Sequence, residues 1–321
     1  WDTDMQEFTI GKNEAGQRLD KYLGRILKEA PVSFFYKMMR KKNIFLNGAK
    51  CTGKEKLSVG DSVKLFLSDE TIEKFSGSKN VSNAVKAYPY KKLDIVYEDD
   101  DVIFVNKPSG MLTQKAAPSD VSLNEYIIGY LLHEGKIDEA QLRTFKPSVC
   151  NRLDRNTSGL VLAGKSMQGS RELSRMIKDR TLEKYYITVA KGKIEHDSSV
   201  CGLLIKDEAS NKVSVRPLDT DTVAESDERF IRTDYRVLGH GEDYTVLEVH
   251  LITGRPHQIR AHLAMLNHPV LGDYKYGDRR INEKYKLKDQ LLHAYRIVLP
   301  GGREYRALVP HKLELFTRGI L

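Results

Sequence analysis

Apolar residues recur at Leu19, Tyr22, Leu23, Ile26 and Leu27, a helical spacing that predicts an amphipathic helix over residues 17 to 29, ended before Pro31. A second short helix is expected next, capped by Ser33, with Phe35, Met38, Met39 and Lys42 on one side. On another side Lys37, Arg40 and Lys41 gather at i, i+3, i+4 and form a basic stripe. The period then changes. Ile44-Phe45-Leu46 stops at Asn47-Gly48, a pair suited to a tight hairpin turn, and Gly60-Asp61-Ser62 leads into the alternating run Val63 to Leu67. Helix, basic helix and small sheet make one unit over residues 1–67.

Residues 68–90 carry Ser, Gly and Asn without a long apolar period and predict a linker, with at most a short helical piece. Beyond it, Leu93 to Tyr97 and Val102 to Asn106 read as strands joined by the acidic turn Glu98 to Asp101, so a hairpin opens a second domain over residues 91–321. Helical patterns follow at 121–133 and 166–178, and strand patterns at Leu160 to Ala163, Tyr185 to Ala190, Tyr235 to Leu238 and Tyr244 to Ile252. Strands joined by turns as short as Gly239-His240-Gly241 favour an α/β (α+β) fold. Its sheet is expected to be mixed, largely antiparallel and flanked by helices, rather than doubly wound and parallel.

Composition narrows the function class. With 321 residues, 40% of them apolar, the chain can bury a sizeable core. No run approaches the 18 or so apolar residues of a membrane span, so no membrane partner is expected. The start, Trp1-Asp2-Thr3-Asp4, lacks the positive charge and apolar stretch of a secretory signal and reads as a trimmed end. Cys51, Cys150 and Cys201 are odd in number and form no Cys-x-x-Cys pair, which argues against a zinc site or redox dithiol and for a reducing, cytoplasmic setting. Net charge is +8, and residues 1 to 66 hold 13 Lys or Arg against 8 Asp or Glu, so most of the excess sits on a fifth of the chain. Such a surface suits a polyanion, although charge runs ordinarily just face water.

Candidate chemistry gathers in three segments. Asn151-Arg152-Leu153-Asp154-Arg155-Asn156-Thr157-Ser158-Gly159 sets a carboxylate between two guanidiniums in a polar loop that runs into a strand, a usual place for reactive groups. Far downstream, Thr253-Gly254-Arg255-Pro256-His257-Gln258-Ile259-Arg260 leads into a helix with Pro256 suited to its first position and Ile259, Leu263 and Leu266 on a buried face. The third is Lys184-Tyr185-Tyr186. His257 and His262 are five apart with no Glu between them, which does not fit a zinc helix, so hydrogen bonding is their expected job and no metal is expected.

Taken in chain order, 151–159, 184–186 and 253–260, the three segments resemble the motifs of the RluA-type pseudouridine synthase family over roughly residues 93 to 312, with Asn151 standing where the family often has His. The resemblance implies that Asp154 is the essential carboxylate, that Arg260 pairs with it and that Tyr186 is the active-site tyrosine. Arg152 is expected to contact phosphate or hold the flipped nucleotide. Residues 16 to 67 resemble the alpha-L RNA-binding domain, which gives Lys37, Arg40 and Lys41 a role on RNA and makes the chain similar to members of the RluC and RluD kind. Those act on large-subunit ribosomal RNA, the expected substrate, with transfer RNA an open alternative.

The implied reaction isomerises uridine without cofactor, metal or energy source, in a monomer. Asp154 can attack the sugar, attack the base or remove a sugar proton. A paired or stacked base must first be turned out of the RNA. A non-catalytic RNA-binding or ribosome-assembly protein would share the basic N-terminal unit but would not need Asp154, Tyr186 and Arg260 together. A hydrolase with an Asp nucleophile would need a second acidic motif or metal ligands that these segments do not supply.

Overall fold

The computed structural model describes residues 5–76, 88–138, 141–207, 212–218 and 229–320. The helical period of Leu19, Tyr22, Leu23 and Ile26 forms the helix Leu19–Ile26 with that face buried. A second helix, Val32–Arg40, turns Phe35 and Met39 inward. Its N-cap is Pro31, at φ −66° and ψ 147°, and no side chain caps it, so the expected Ser33 cap is not formed. Proline holds the extended backbone from which the helix starts, and the break falls two residues before Ser33.

Strands β1 (Met5–Thr9), β2 (Ile44–Leu46), β3 (Ala49–Lys50) and β4 (Ser62–Phe66) pair antiparallel in the order β1-β4-β2-β3. Asn47 at φ 52° and Gly48 at φ 73° make the β2–β3 turn, both in the left-handed region that such a hairpin requires. Leu19, Leu23, Phe35, Ile44, Val63 and Leu65 close a core behind this sheet. The helix Asp69–Ser76, within the stretch expected as linker, adds Ile72 and Phe75 to that core. Residues 77–87 of the expected linker lie outside the described residues.

The second sheet has eleven strands: β5 (Ile95–Glu98), β6 (Val102–Lys107), β7 (Ser148–Val149), β8 (Ser158–Gly164), β9 (Glu183–Lys191), β10 (Ser198–Asp207), β11 (Lys212–Pro217), β12 (Arg229–His240), β13 (Tyr244–Leu251), β14 (Leu292–Val298) and β15 (Glu304–Arg306). Its order is β11-β10-β12-β13-β9-β14-β8-β6-β5, with β7 against β8 and β15 against β14. The β14–β8 pair is parallel and the other pairs are antiparallel, the mixed sheet expected. The acidic turn between β5 and β6 works through Asp99, whose Oδ1 accepts from the Asp101 and Val102 amides at 2.8 Å each.

Alternation along the central strands covers both faces. Ile103, Val105, Val161 and Ala163 pack against Leu123, Ile127 and Leu131 of the helix Leu123–His133. Phe104, Leu160 and Leu162 point the other way, toward Leu173 of the helix Met167–Lys178. Each such side chain removed from water contributes about 1.5–3 kcal/mol, so β8, buried along its whole length, is a stiff mount for the loop that precedes it. The N-terminal unit touches this body through polar contacts. Thr144 Oγ1 donates to Glu14 Oε1 at 2.6 Å, Arg25 Nη1 to the Thr144 carbonyl at 3.0 Å and the Met167 amide to Asn13 Oδ1 at 3.2 Å. Among the described residues, no helix is long and apolar enough to cross a membrane.

Candidate active site

The loop of residues 151–157 leaves β7 and enters β8, and most of its polar residues have structural partners. Asn151 bridges to β8, its Oδ1 accepting from the Leu162 amide at 2.8 Å and its Nδ2 donating to the Leu160 carbonyl at 3.2 Å. Thr113 clamps Leu153 twice, donating to its carbonyl at 2.8 Å and accepting from its amide at 3.2 Å. The Thr157 amide donates to the Asp154 carbonyl at 3.0 Å, while Thr157 Oγ1 accepts from Gln290 Nε2 at 2.9 Å. Only glycine fits at 159, where φ is +114° and a Cβ would lie 2.3 Å from the Ala294 carbonyl oxygen.

Lys107 braces the loop from behind. Its fully buried ammonium donates to the carbonyls of Pro108, Met111 and Arg155 at 3.0, 2.9 and 3.1 Å. Burial lowers its pKa to about 8, with the nearby Asp154 charge pulling the other way. Held so, the Asp154 carboxylate lines a cleft of about 620 Å³.

Arg260 comes from the helix Gln258–Met265. The residue before this helix, His257, is its N-cap in the left-handed conformation at φ 55°, so Pro256 does not take the first helical position expected for it. That break seats Gln258 inward, where its Oε1 accepts from Thr253 Oγ1 at 2.9 Å and the Arg255 amide at 3.1 Å. Arg260 then follows within the first turn of the helix.

Arg260 Nη1 donates to Asp154 Oδ2 at 2.7 Å. Its other edge makes a two-pronged contact with Asp273, Nε to Oδ2 at 2.6 Å and Nη2 to Oδ1 at 3.0 Å. Burial would lower the Arg260 pKa, but hydrogen bonds and charge from both carboxylates raise it above its ordinary value. Burial would raise Asp273, yet Arg260 and the Lys275 and Tyr276 amides hold it below the usual carboxylate range. A guanidinium fixed at both edges cannot swing away from Asp154. The sequence assigns no chemistry to the segment His268 to Asp273, and Asp273 is the residue of the Arg260–Asp154 cluster that it misses; its signal is a carboxylate set against Gly272 in a loop just beyond the Arg260 helix.

Tyr186 lies on β9, nearly buried, with its ring in the same cleft. Burial first, and then the Asp154 charge, push its phenol well above the ordinary tyrosine value, so it stays protonated at neutral pH. Lys184, two residues earlier on the same face, also lines the cleft, and burial lowers its pKa. Arg152, Arg155 and Arg255 are exposed on the cleft wall and make it positive. His257 reaches in with Nε2 3.9 Å from Asp154 Oδ1. His262 is a buried hydrogen-bonding residue, its Nδ1 3.1 Å from Thr233 Oγ1.

The structure thus brings Asp154, Arg260, Tyr186 and Arg152 into one cleft. Lys37, Arg40 and Lys41 do not line it; they are exposed on and just beyond the helix Val32–Arg40.

Residues 101–265 match the sequence profile of the RNA pseudouridylate synthase family. Over 306 residues the chain is 30% identical to ribosomal large subunit pseudouridine synthase C of Vibrio cholerae, covering 92% of this chain and 89% of that relative. It is 28% identical over 300 residues to ribosomal large subunit pseudouridine synthase D of Nitrosomonas europaea, covering 91% and 80%. In fold it is similar to human RNA pseudouridylate synthase domain containing 4, with a TM-score of 0.58 at 18% identity over 75% of this chain and 97% of that one.

Proposed function

The chain belongs to the RNA pseudouridylate synthase family, and from that premise we propose that it converts specific uridines of large-subunit ribosomal RNA to pseudouridine, with Asp154 as the reacting carboxylate and no cofactor. The ribosomal substrate rests on what the relatives named above act on. The absence of a cofactor rests on the chemistry: the base is detached from nitrogen and rejoined through carbon, and no electrons are gained or lost overall.

The observation that carries the role of Asp154 is its divided carboxylate. Oδ2 is held by Arg260 at 2.7 Å, whereas His257 Nε2 lies 3.9 Å from Oδ1, beyond hydrogen-bond reach, and Oδ1 stays free to act in the cleft. Arg260, pinned by Asp273, keeps the carboxylate aimed into the cleft. Tyr186 offers a ring on which a turned-out base can stack and a protonated hydroxyl that can donate to it. Arg152 is the phosphate contact at the rim.

Residues 1–67 serve in this reading as an alpha-L-type RNA-binding unit, with Lys37, Arg40 and Lys41 on phosphates and residues 91–321 performing the isomerisation. The protein works as a monomer in the cytoplasm. Carbodiimide mapping of ribosomal and transfer RNA from cells with and without the gene tests the assignment. Loss of one or a few pseudouridine stops in large-subunit RNA is expected; a loss confined to transfer RNA moves the substrate, and no loss anywhere contradicts the proposal.

A further inference from the structure

His257 has a conformation that helix capping does not explain. It is a non-glycine residue at φ 55° and ψ 12°, an uncommon conformation for such a residue, and its side chain makes no capping hydrogen bond. Its ring is instead oriented by Tyr276. The Tyr276 oxygen accepts from the Val213 amide at 2.9 Å, and its own O–H, 2.8 Å from His257 Nδ1, finds an acceptor there. With the Tyr276 O–H as donor, the proton is assigned to Nε2 and Nδ1 carries the lone pair. The ring is faced by Asp154, Asp273, Arg260, Lys275 and Tyr276, and burial, the largest influence, lowers its pKa, which keeps it neutral at pH 7. The one ring proton therefore sits on Nε2, the nitrogen turned toward Asp154 Oδ1. At 3.9 Å that separation is too long for a hydrogen bond, and it leaves the donor open to a substrate group.

Resting on the pseudouridine synthase reading and on Asp154 as its carboxylate, we infer that His257 is a further catalytic residue, whose Nε2–H donates to the uracil oxygen that takes up negative charge as the base leaves the sugar. When the C1′–N1 bond breaks, its electron pair goes to the base and is shared between N1 and the ring carbonyl oxygens. O2 adjoins N1 and so lies beside C1′, where Asp154 Oδ1 works. The base rejoins through C5, the C5 proton is lost, N1 gains a proton, and nothing is oxidised or reduced. His257 keeps its proton throughout and contributes as a fixed donor that needs no reorientation during the reaction.

Three variants test this with large-subunit ribosomal RNA transcripts carrying tritium at uridine C5, by tritium release in single turnovers at saturating enzyme, alongside RNA affinity. His257→Asn suits the left-handed backbone but ends short of the cleft, and is expected to slow turnover on the order of 100-fold with affinity little changed. His257→Gln reaches further with an N–H donor and is expected to recover about tenfold of that loss. Tyr276→Phe, which leaves residue 257 intact but frees its tautomer, is expected to be several-fold slower. Turnover by His257→Asn at the wild-type rate overturns the inference, as does equal impairment of the Asn and Gln variants. Should the Asn variant misfold, an unimpaired Tyr276→Phe protein overturns it. Wild-type protein that releases no tritium contradicts the proposed function itself; a fast His257→Asn protein beside an inert Asp154→Asn one contradicts this inference alone.

Discussion

Arginine and lysine do different work in the cleft and on the helix Val32–Arg40. Arg260 is almost wholly buried, with a side-chain exposure of 8%, and is fixed between two carboxylates. Lys37, Arg40 and Lys41 are exposed and have no ion-pair partner among the described residues. A buried guanidinium acts through fixed geometry, in a medium where its charge is weakly screened. Exposed charges act through their number, and salt screens them within about 10 Å at 0.1 M. On the proposed reading this difference makes chemistry and RNA holding separable in this chain, and each should respond to a different perturbation.

The largest effect that would sharpen the contrast, beyond Asp154 itself, is at the ion triad. Arg260→Ala leaves two carboxylates without their partner and is expected to cost about 3–5 kcal/mol of stability and to cripple turnover, measured by urea denaturation and single-turnover rate. Asp273→Asn should show a pH signature. A carboxyl whose folded pKa lies below its unfolded value of 3.8 contributes stability that is present above that value and lost as pH falls through the folded pKa. The stability gap between wild type and Asp273→Asn should therefore be full at neutral pH and close below about pH 4. A gap independent of pH would remove the charge pairing from the account.

Next in size is Tyr186→Phe. Loss of a single hydroxyl donor should slow turnover by about 1–2 kcal/mol, on the order of tenfold, while the ring keeps RNA affinity. Tyr186→Leu should be worse, and wild-type rates for both would return Tyr186 to a core role. The smallest effect is expected on the basic helix. Lys37→Ala with Arg40→Ala and Lys41→Ala should make the slope of log affinity against log salt shallower by about 2 units, at an unchanged saturated rate. An unaltered slope would mean that this helix face is merely solvated.

Much of this was legible because local pattern and long-range packing agree. Asn47-Gly48 forms the turn that its left-handed preference demands, and Leu160 to Ala163 form a strand that is buried on both faces. Asp154 and Arg260 are 106 residues apart, and only the resemblance of their two segments to family motifs, not spacing, joins them across the fold. Asp273 was only partly legible, since Gly272 beside it marks a loop near the site but nothing near it in the chain says that its carboxylate will be buried against Arg260. Strands β10 and β11 are poorly marked because their half-exposed residues give a weak alternation, and their pairing is set by neighbours distant in the fold, β12 for β10 and β10 for the edge strand β11. At Ser33 and Pro256 a correct local preference lost to the residues actually at the helix starts, Pro31 and the left-handed His257.

The central claim is that the Asp154 carboxylate is the reacting group, while the rest of the cleft positions it, donates hydrogen bonds to the base and holds the RNA. Asp154→Asn is nearly isosteric and can keep a hydrogen bond in the triad, so single-turnover tritium release from 5-tritiated large-subunit ribosomal RNA measures the loss of the carboxylate almost alone. The account predicts no release above background by a folded variant that binds this RNA as wild type does. Release at a substantial fraction of the wild-type rate would contradict it.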